Sequence, residues 1–214
     1  MNGTRMVVFL AALAALGLGV MVYTQNPTAE GAAEDATTEA QEEATVTAAP
    51  QGPVARITEE ELADGFVPLI GEWENGGFHK HGWNHYGPGW FTLDHETGIL
   101  ASHGGMGLMW YSAEMLGDFV LRLEFNTSVP DSNSGIFLRV PEMVTSDEYI
   151  YHSFEIQIHA TAPEAIHRTG AVYDAEAPSE DRAKAPGEWN DMEISFVGDR
   201  ITVSLNGALV TDWV

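Results

Sequence analysis

The chain has 214 residues, 44% of them hydrophobic, and a formal net charge of -23, which suits one packed domain with appendages. Acidity of that size excludes a nucleic-acid partner, because phosphates need a basic surface to displace their counterions. The absence of cysteine excludes a disulfide framework, a thiolate nucleophile, a cysteine-ligated metal and a lipid-modified cysteine, and leaves neutral sugars and cations as candidate partners.

Met6 to Tyr23 is one uncharged apolar run behind Arg5, and only acidic charges lie between Arg5 and Arg56. The run is near the lower limit for spanning a bilayer and long for a signal-peptide core; both readings imply export. The positive residue before it and the acidic stretch after it place the N-terminus in the cytoplasm and the rest outside. Residues 1–23 therefore read as a signal peptide or, with no small-x-small cleavage site directly after Tyr23, a signal-anchor helix. That puts the protein in the periplasm or on the cell surface, with membrane contact through this segment. Residues 24–56 are Ala, Thr, Glu, Gln and Pro with almost no large apolar side chain, and such a segment reads as a disordered acidic linker because it cannot offset its ordering entropy.

The folded part spans 57–214. It opens with Ile57 to Leu62, where Thr58 and Glu61 are spaced for a capping box on a helical turn. From Phe66 onward Gly, Asn, Asp and Pro punctuate short apolar runs, a texture of strands and turns. Phe119 to Phe125 alternates, with Arg122 and Glu124 on one face and Leu121, Leu123 and Phe125 on the other. Met192 to Val197 and Ile201 to Leu205 alternate as well, joined by a turn at Gly198-Asp199-Arg200. Many short strands with turn signals every eight to twelve residues predict an all-β antiparallel sandwich.

Two of these strands carry chemistry. In Asn133 to Arg139 and Phe154 to His159, alternation sends Ile136, Leu138, Ile156 and Ile158 into a core and Arg139, Glu155, Gln157 and His159 to the other face. A cation, a general base, an amide and an imidazole on one face outline a small-molecule site, although a plain two-sided strand shows the same alternation. Trp83, Tyr86, Trp90, Trp110, Tyr151 and Tyr173 are flat platforms of the kind that meet sugar faces; Trp110 and Tyr173 are the two assigned to a ligand. His79, His81 and His85 have no regular ligand spacing, so no metal residues are assigned. No cofactor is required by the sequence, and a divalent metal is left open. The chain contains no GxSxG elbow, HExxH helix, phosphate-cradling loop or dinucleotide fingerprint, which removes the common hydrolase and nucleotide-binding signatures.

Six motifs follow in series: Gly117 to Phe125 (GDFVLRLEF), Asn133 to Pro141 (NSGIFLRVP), Phe154 to Ile158 (FEIQI), Thr169 to Tyr173 (TGAVY), Ala185 to Asn190 (APGEWN) and Arg200 to Gly207 (RITVSLNG). Together, from about Gly65 to the end, they resemble the DUF1080 family, also called the 3-keto-disaccharide hydrolase domain. The resemblance implies a concanavalin A-like jelly-roll sandwich, bacterial export, and action on 3-keto-disaccharides or 3-keto-glucosides by elimination and hydration. The shared strand face and the resemblance together point to Glu155, His159 and Arg139 as catalytic residues: Glu155 as base, Arg139 or Asn133 polarising the ketone, His159 donating a proton or binding the substrate. Asn133, Ser134, Gln157, Tyr173, Trp189 and Asn190 are the matching substrate-binding positions. Where relatives commonly have an aspartate after the Glu-x-Gln strand, this chain has His159-Ala160. Relatives also continue past the Leu-Asn-Gly hairpin, so the sandwich is expected to lack its final strands at Val214. A non-catalytic carbohydrate-binding module tethered to the envelope is the alternative, because the same sandwich hosts lectins and fold does not fix function.

Overall fold

The structure, a computed structural model, describes residues 4–9, 56–104, 106–141 and 143–214. The short helix α1 (Glu59–Ala63) starts as its sequence requires. The Glu61 amide donates to the Thr58 hydroxyl at 3.2 Å, and the Thr58 amide donates to the Glu61 carboxylate at 2.9 Å, so two otherwise orphaned groups are satisfied reciprocally.

Nearly everything else is extended. Strand β1 (Thr4–Phe9) and strand β2 (Phe66–Pro68) are followed by three two-stranded ribbons. These pair β3 (Gly71–Glu72) with β4 (Phe78–His79), β5 (Trp83–Tyr86) with β8 (Leu108–Tyr111), and β6 (Trp90–Leu93) with β7 (Leu100–His103). Then come β9 (Phe119–Phe125), β10 (Ser134–Leu138), β11 (Phe154–Ile158), β12 (Asn190–Val197), β13 (Arg200–Leu205) and β14 (Ala208–Trp213). The main sheet runs β14-β13-β12-β9-β1-β2, antiparallel except where β1 pairs in parallel with β9 and β2. Its hairpins turn where the sequence marks them, at Gly198-Asp199 and at Asn206-Gly207. The last two residues have φ of 50° and 80°, the left-handed pair that a tight hairpin needs and that Asn-Gly supplies most readily.

The leader reading expects a helix from Met6 onward, but the described part, Met6 to Phe9, is extended between β9 and β2. Residues rich in Val and Phe favour pairing with a strand edge that would otherwise be open. The rest of the leader and the linker as far as residue 55 lie outside the described residues. Among the described residues no helix is long and apolar enough to cross a membrane.

The core lies between one face of the main sheet and a second layer built on β10 and β11, an arrangement consistent with a β-sandwich. From the sheet come Phe119, Leu121, Leu123 and Phe125 of β9, Met192, Ile194 and Phe196 of β12, and Ile201, Val203 and Leu205 of β13. They meet Leu138, Ile156, Ile158 and Val172 of the second layer in one continuous cluster. The opposite face of β9 is polar as predicted, with Arg122 paired in register to Glu193 of β12 at 2.7 Å and laid over the Phe66 ring at 4.2 Å.

Ile194 is fully buried in the strand between β9 and β13. Ile194→Ala should therefore lower the unfolding free energy by about 2–5 kcal/mol, the cost of lost burial plus a cavity. Val197→Ala on the exposed end of the same strand should shift the denaturation midpoint by far less.

Candidate functional site

Glu155 is held by the strand that carries it. On one edge β11 pairs with β10, placing Phe137 opposite Glu155 and Gly135 opposite Gln157. On the other edge it pairs with 170–173: the Gln157 amide donates to the Ala171 carbonyl at 3.0 Å, and the amides of Gly170 and Tyr173 donate to the carbonyls of Gln157 and Glu155, both at 2.9 Å. Ile156 and Ile158 are locked in the core, so alternation turns Glu155 outward. Its carboxyl group arches over Gly135, where a Cβ would collide with it. A glycine at 135 is thus what leaves room for the carboxylate.

Glu155 lies in a cavity of about 240 Å³ whose other walls are Phe137, Ile150, Ser153, Phe154, Val172, Tyr173, Asp174 and Ala175. Burial among these apolar walls, reinforced by the nearby Asp174 charge, pushes the Glu155 carboxyl up to about 7, because desolvation and a like charge both penalise the ionised form. Tyr173 is also displaced upward, first by burial and then by Asp174, Glu155 and Glu164, and so remains a phenol donor. Its ring stacks on His167 at 4.5 Å and 18°. His167 Nε2 in turn lies 2.6 Å from Asp174 Oδ1. The geometry combines a carboxyl able to exchange a proton near neutral pH, a phenol donor and a second carboxylate around one small pocket.

The predicted site residues divide. Glu155 and Tyr173 are brought together. His159, just past β11, is nearby but does not line the cavity; its amide donates to Thr169 Oγ1 at 2.9 Å. Its imidazole is shifted downward mainly by burial and partly by His167, against an opposing pull from Asp131. Gln157 shares the outward side of the alternation, yet it is buried beneath 169–171 and its Oε1 accepts from the Ile158 amide at 2.8 Å. Ser134 pairs with Ile158 on the core-facing side, and Asn133 is exposed just before β10.

Arg139 is not among the residues that line the cavity. It follows the last residue of β10 with φ of 55°, and this left-handed residue breaks the alternation that was to place it beside Glu155. Its guanidinium stacks over the Phe196 ring at 3.6 Å, donates to the Gly198 carbonyl at 2.8 Å and lies 3.7 Å from Asp118. It ties the end of β10 to two turns of the main sheet. Asn190 is buried at the start of β12, where it accepts from the Lys184 amide and from Asn206 Nδ2, both at 2.9 Å. Trp189 belongs to that same corner, where its carbonyl accepts from Lys184 Nζ at 2.6 Å and its indole N–H is buried. Trp110 packs into a satellite cluster with Leu108, Val144 and Tyr149 and touches the site only through shared neighbours such as Phe137.

Asp174 and His167 were not singled out by sequence. Their pairing depends on Asp174 adopting φ of 58°, and the only local signal was an Asp directly after the Thr169 to Tyr173 motif. Among the described residues no group of three His, Asp or Glu side chains is placed to hold a metal ion. His79 and His81 stack on each other at 4.1 Å beside Trp73, and His85 lies edge-on to Phe91.

A family model described as the 3-keto-alpha-glucoside-1,2-lyase-like domain matches residues 65–214. No curated protein matches the chain. A crystal structure from Parabacteroides distasonis, provisionally named a glycosyl hydrolase, is 34% identical over 44% of this chain and 49% of its own, with a TM-score of 0.40. A second from the same organism, with the same provisional name, is 20% identical over 74% of this chain and 76% of its own, with a TM-score of 0.58. The chain spans about half the length of the first, and the second is a likeness of fold.

Two outcomes follow from the packing of Glu155. Gly135→Ala should keep the fold but displace the carboxyl group, seen as a changed titration of Glu155 with little loss of secondary structure. Because the folded-state pKa of Glu155 lies above its unfolded value, the stability tied to its neutral form is present at low pH and lost as pH rises through about 7. Glu155→Gln should therefore melt higher than wild type at pH 8 and no higher at pH 4.

Proposed function

Because the chain belongs to the 3-keto-α-glucoside-1,2-lyase-like domain family, we propose that it acts on glycosides already oxidised at C3, 3-keto-disaccharides or 3-keto-glucosides. It breaks the C1–O bond by elimination across C1 and C2. The observation that carries this reading is Glu155, pushed up to about 7 in a small cavity beside Tyr173.

A ketone at C3 acidifies the hydrogen on C2. Glu155 removes that proton, the electron pair forms the C1–C2 double bond, and the C1–O bond breaks toward the leaving oxygen. The leaving oxygen must then gain a proton, and the Tyr173 phenol, which lines the same cavity as the base, is the donor assigned to it. Water adding across the new double bond completes a net hydrolysis. An ordinary glycosidase instead places two carboxylates across the scissile bond, a chemistry that needs no ketone. Arg139, whose guanidinium is engaged at the Asp118 and Gly198 turns, is left out of this scheme.

The sandwich is read as a concanavalin A-like jelly roll. The apolar run behind Arg5 supports export to the periplasm or cell surface, with anchoring through the N-terminal segment. Backbone that pairs with β9 and β2 cannot at the same time lie in a bilayer. Fractionation of cells therefore separates an anchored chain from one that keeps β1 in the sheet.

The mechanism is tested with 3-keto-trehalose against trehalose. Only the keto sugar should react, and product formed in deuterated water should carry deuterium at C2. Glu155→Gln should lower turnover on the order of a hundredfold to ten-thousandfold while leaving affinity nearly unchanged. The rate should rise with pH through about 7 as Glu155 ionises. Equal cleavage of both sugars would overturn the keto-specific mechanism, and binding without cleavage would make the domain a carbohydrate-binding module.

A further inference from the structure

His167 does not line the cavity, yet three contacts fasten it to groups that do. Its Nε2 lies 2.6 Å from Asp174 Oδ1, its ring is covered by Tyr173 at 4.5 Å, and its Nδ1 lies 3.8 Å from Glu164. The imidazole is 26% exposed, whereas the Asp174 side chain is 71% exposed. Asp174 stands at the tip of a turn closed by the amides of Ala175 and Glu176 donating to the Val172 carbonyl, both at 2.9 Å. At such a tip a short carboxylate has solvent available on most sides. His167 holds it toward the cavity wall, and in doing so fixes the position of a charge that Glu155 feels.

We propose that His167 is a positioning residue for this site: it holds the Asp174 carboxylate against the cavity that encloses Glu155 and keeps the Tyr173 ring in place. The inference rests on Glu155 being the base of the reaction described above, but it concerns how that base is set. The charged and titratable groups facing His167 are Asp174 and Tyr173 from the turn after 170–172, Glu164 from its own 3-10 turn, and His159 from the end of β11.

The test reads the Glu155 carboxyl carbon directly, by NMR titration of the full chain labelled at glutamate carboxyls, with Glu155→Gln assigning the resonance. His167→Ala removes the group that holds Asp174, so that carboxylate can turn to solvent and the Glu155 midpoint should fall, by about half to one pH unit. Asp174→Asn should lower it by a similar amount. The double variant should titrate like Asp174→Asn alone, since His167 acts through Asp174. The acid limb of kcat/KM on a 3-keto-glucoside should move with the midpoint in each variant. A Glu155 midpoint unchanged in His167→Ala, or additive shifts in the double variant, would overturn the proposal. The NMR titration decides this even if wild type turns over no keto sugar, an outcome that would instead sink the assigned reaction. Should His167→Ala fail to fold, His167→Leu, which fills the space beside Tyr173 but cannot bond Asp174, carries the same test.

Discussion

The site depends on the rigidity of one short strand. Residues in β11 cannot rotate independently: Ile156 and Ile158 are sealed into the core, both backbone edges are hydrogen-bonded, and the remaining face has one direction left for Glu155. The same constraint that makes the core orients Glu155. A carboxyl group placed on a loop would turn toward water and titrate normally. Here it lies over Gly135, walled by Phe137, Phe154 and Val172, and the difference between its ordinary value and about 7 corresponds to a cost of ionisation on the order of 3 kcal/mol. The fold meets that cost through the large apolar interface between the main sheet and the second layer.

Electrostatics acts on top of this packing. The chain is strongly acidic, yet most of its carboxylates are solvated and exert little local effect at physiological ionic strength. Asp174 differs by its position, because it borders the pocket that encloses Glu155. Tyr173 is displaced in the same direction, by burial first and then by Asp174, Glu155 and Glu164, so the two groups share one cluster of charge. His167 is the group through which that cluster is held in place.

The polar residues of the family-like motifs serve two different ends. Glu155 and Tyr173 face the cavity. Arg139, Asn190 and Gln157 hold the frame: Arg139 bridges the end of β10 to the Asp118 and Gly198 turns, Asn190 ties the 184–190 loop to the Asn206 hairpin, and Gln157 caps a backbone amide in its own strand. Motif membership marks a position as constrained without saying whether the constraint is chemical or structural. Buried polar groups need partners wherever they occur, and a frame built of turns has many such needs.

Composition and periodicity alone determined the all-β class, the span of β9, the capping box at Thr58, the Asn206-Gly207 turn, and the outward face that carries Glu155. Each of these rests on local chemistry: two-residue alternation, side chain to backbone capping, or a residue's tolerance of positive φ. Only the tertiary structure decided what Arg139 does, because a single left-handed residue reverses the direction of a side chain and leaves no trace in an alternating pattern. Only the tertiary structure joined His167 to Asp174, residues seven apart whose contact requires the turn after Val172 to fold back on a short 3-10 segment. It also placed β1 beside β9, where a run read as a leader helix meets an open strand edge. In each case the deciding energy is a contact between distant segments, and no local pattern encodes which distant segment arrives.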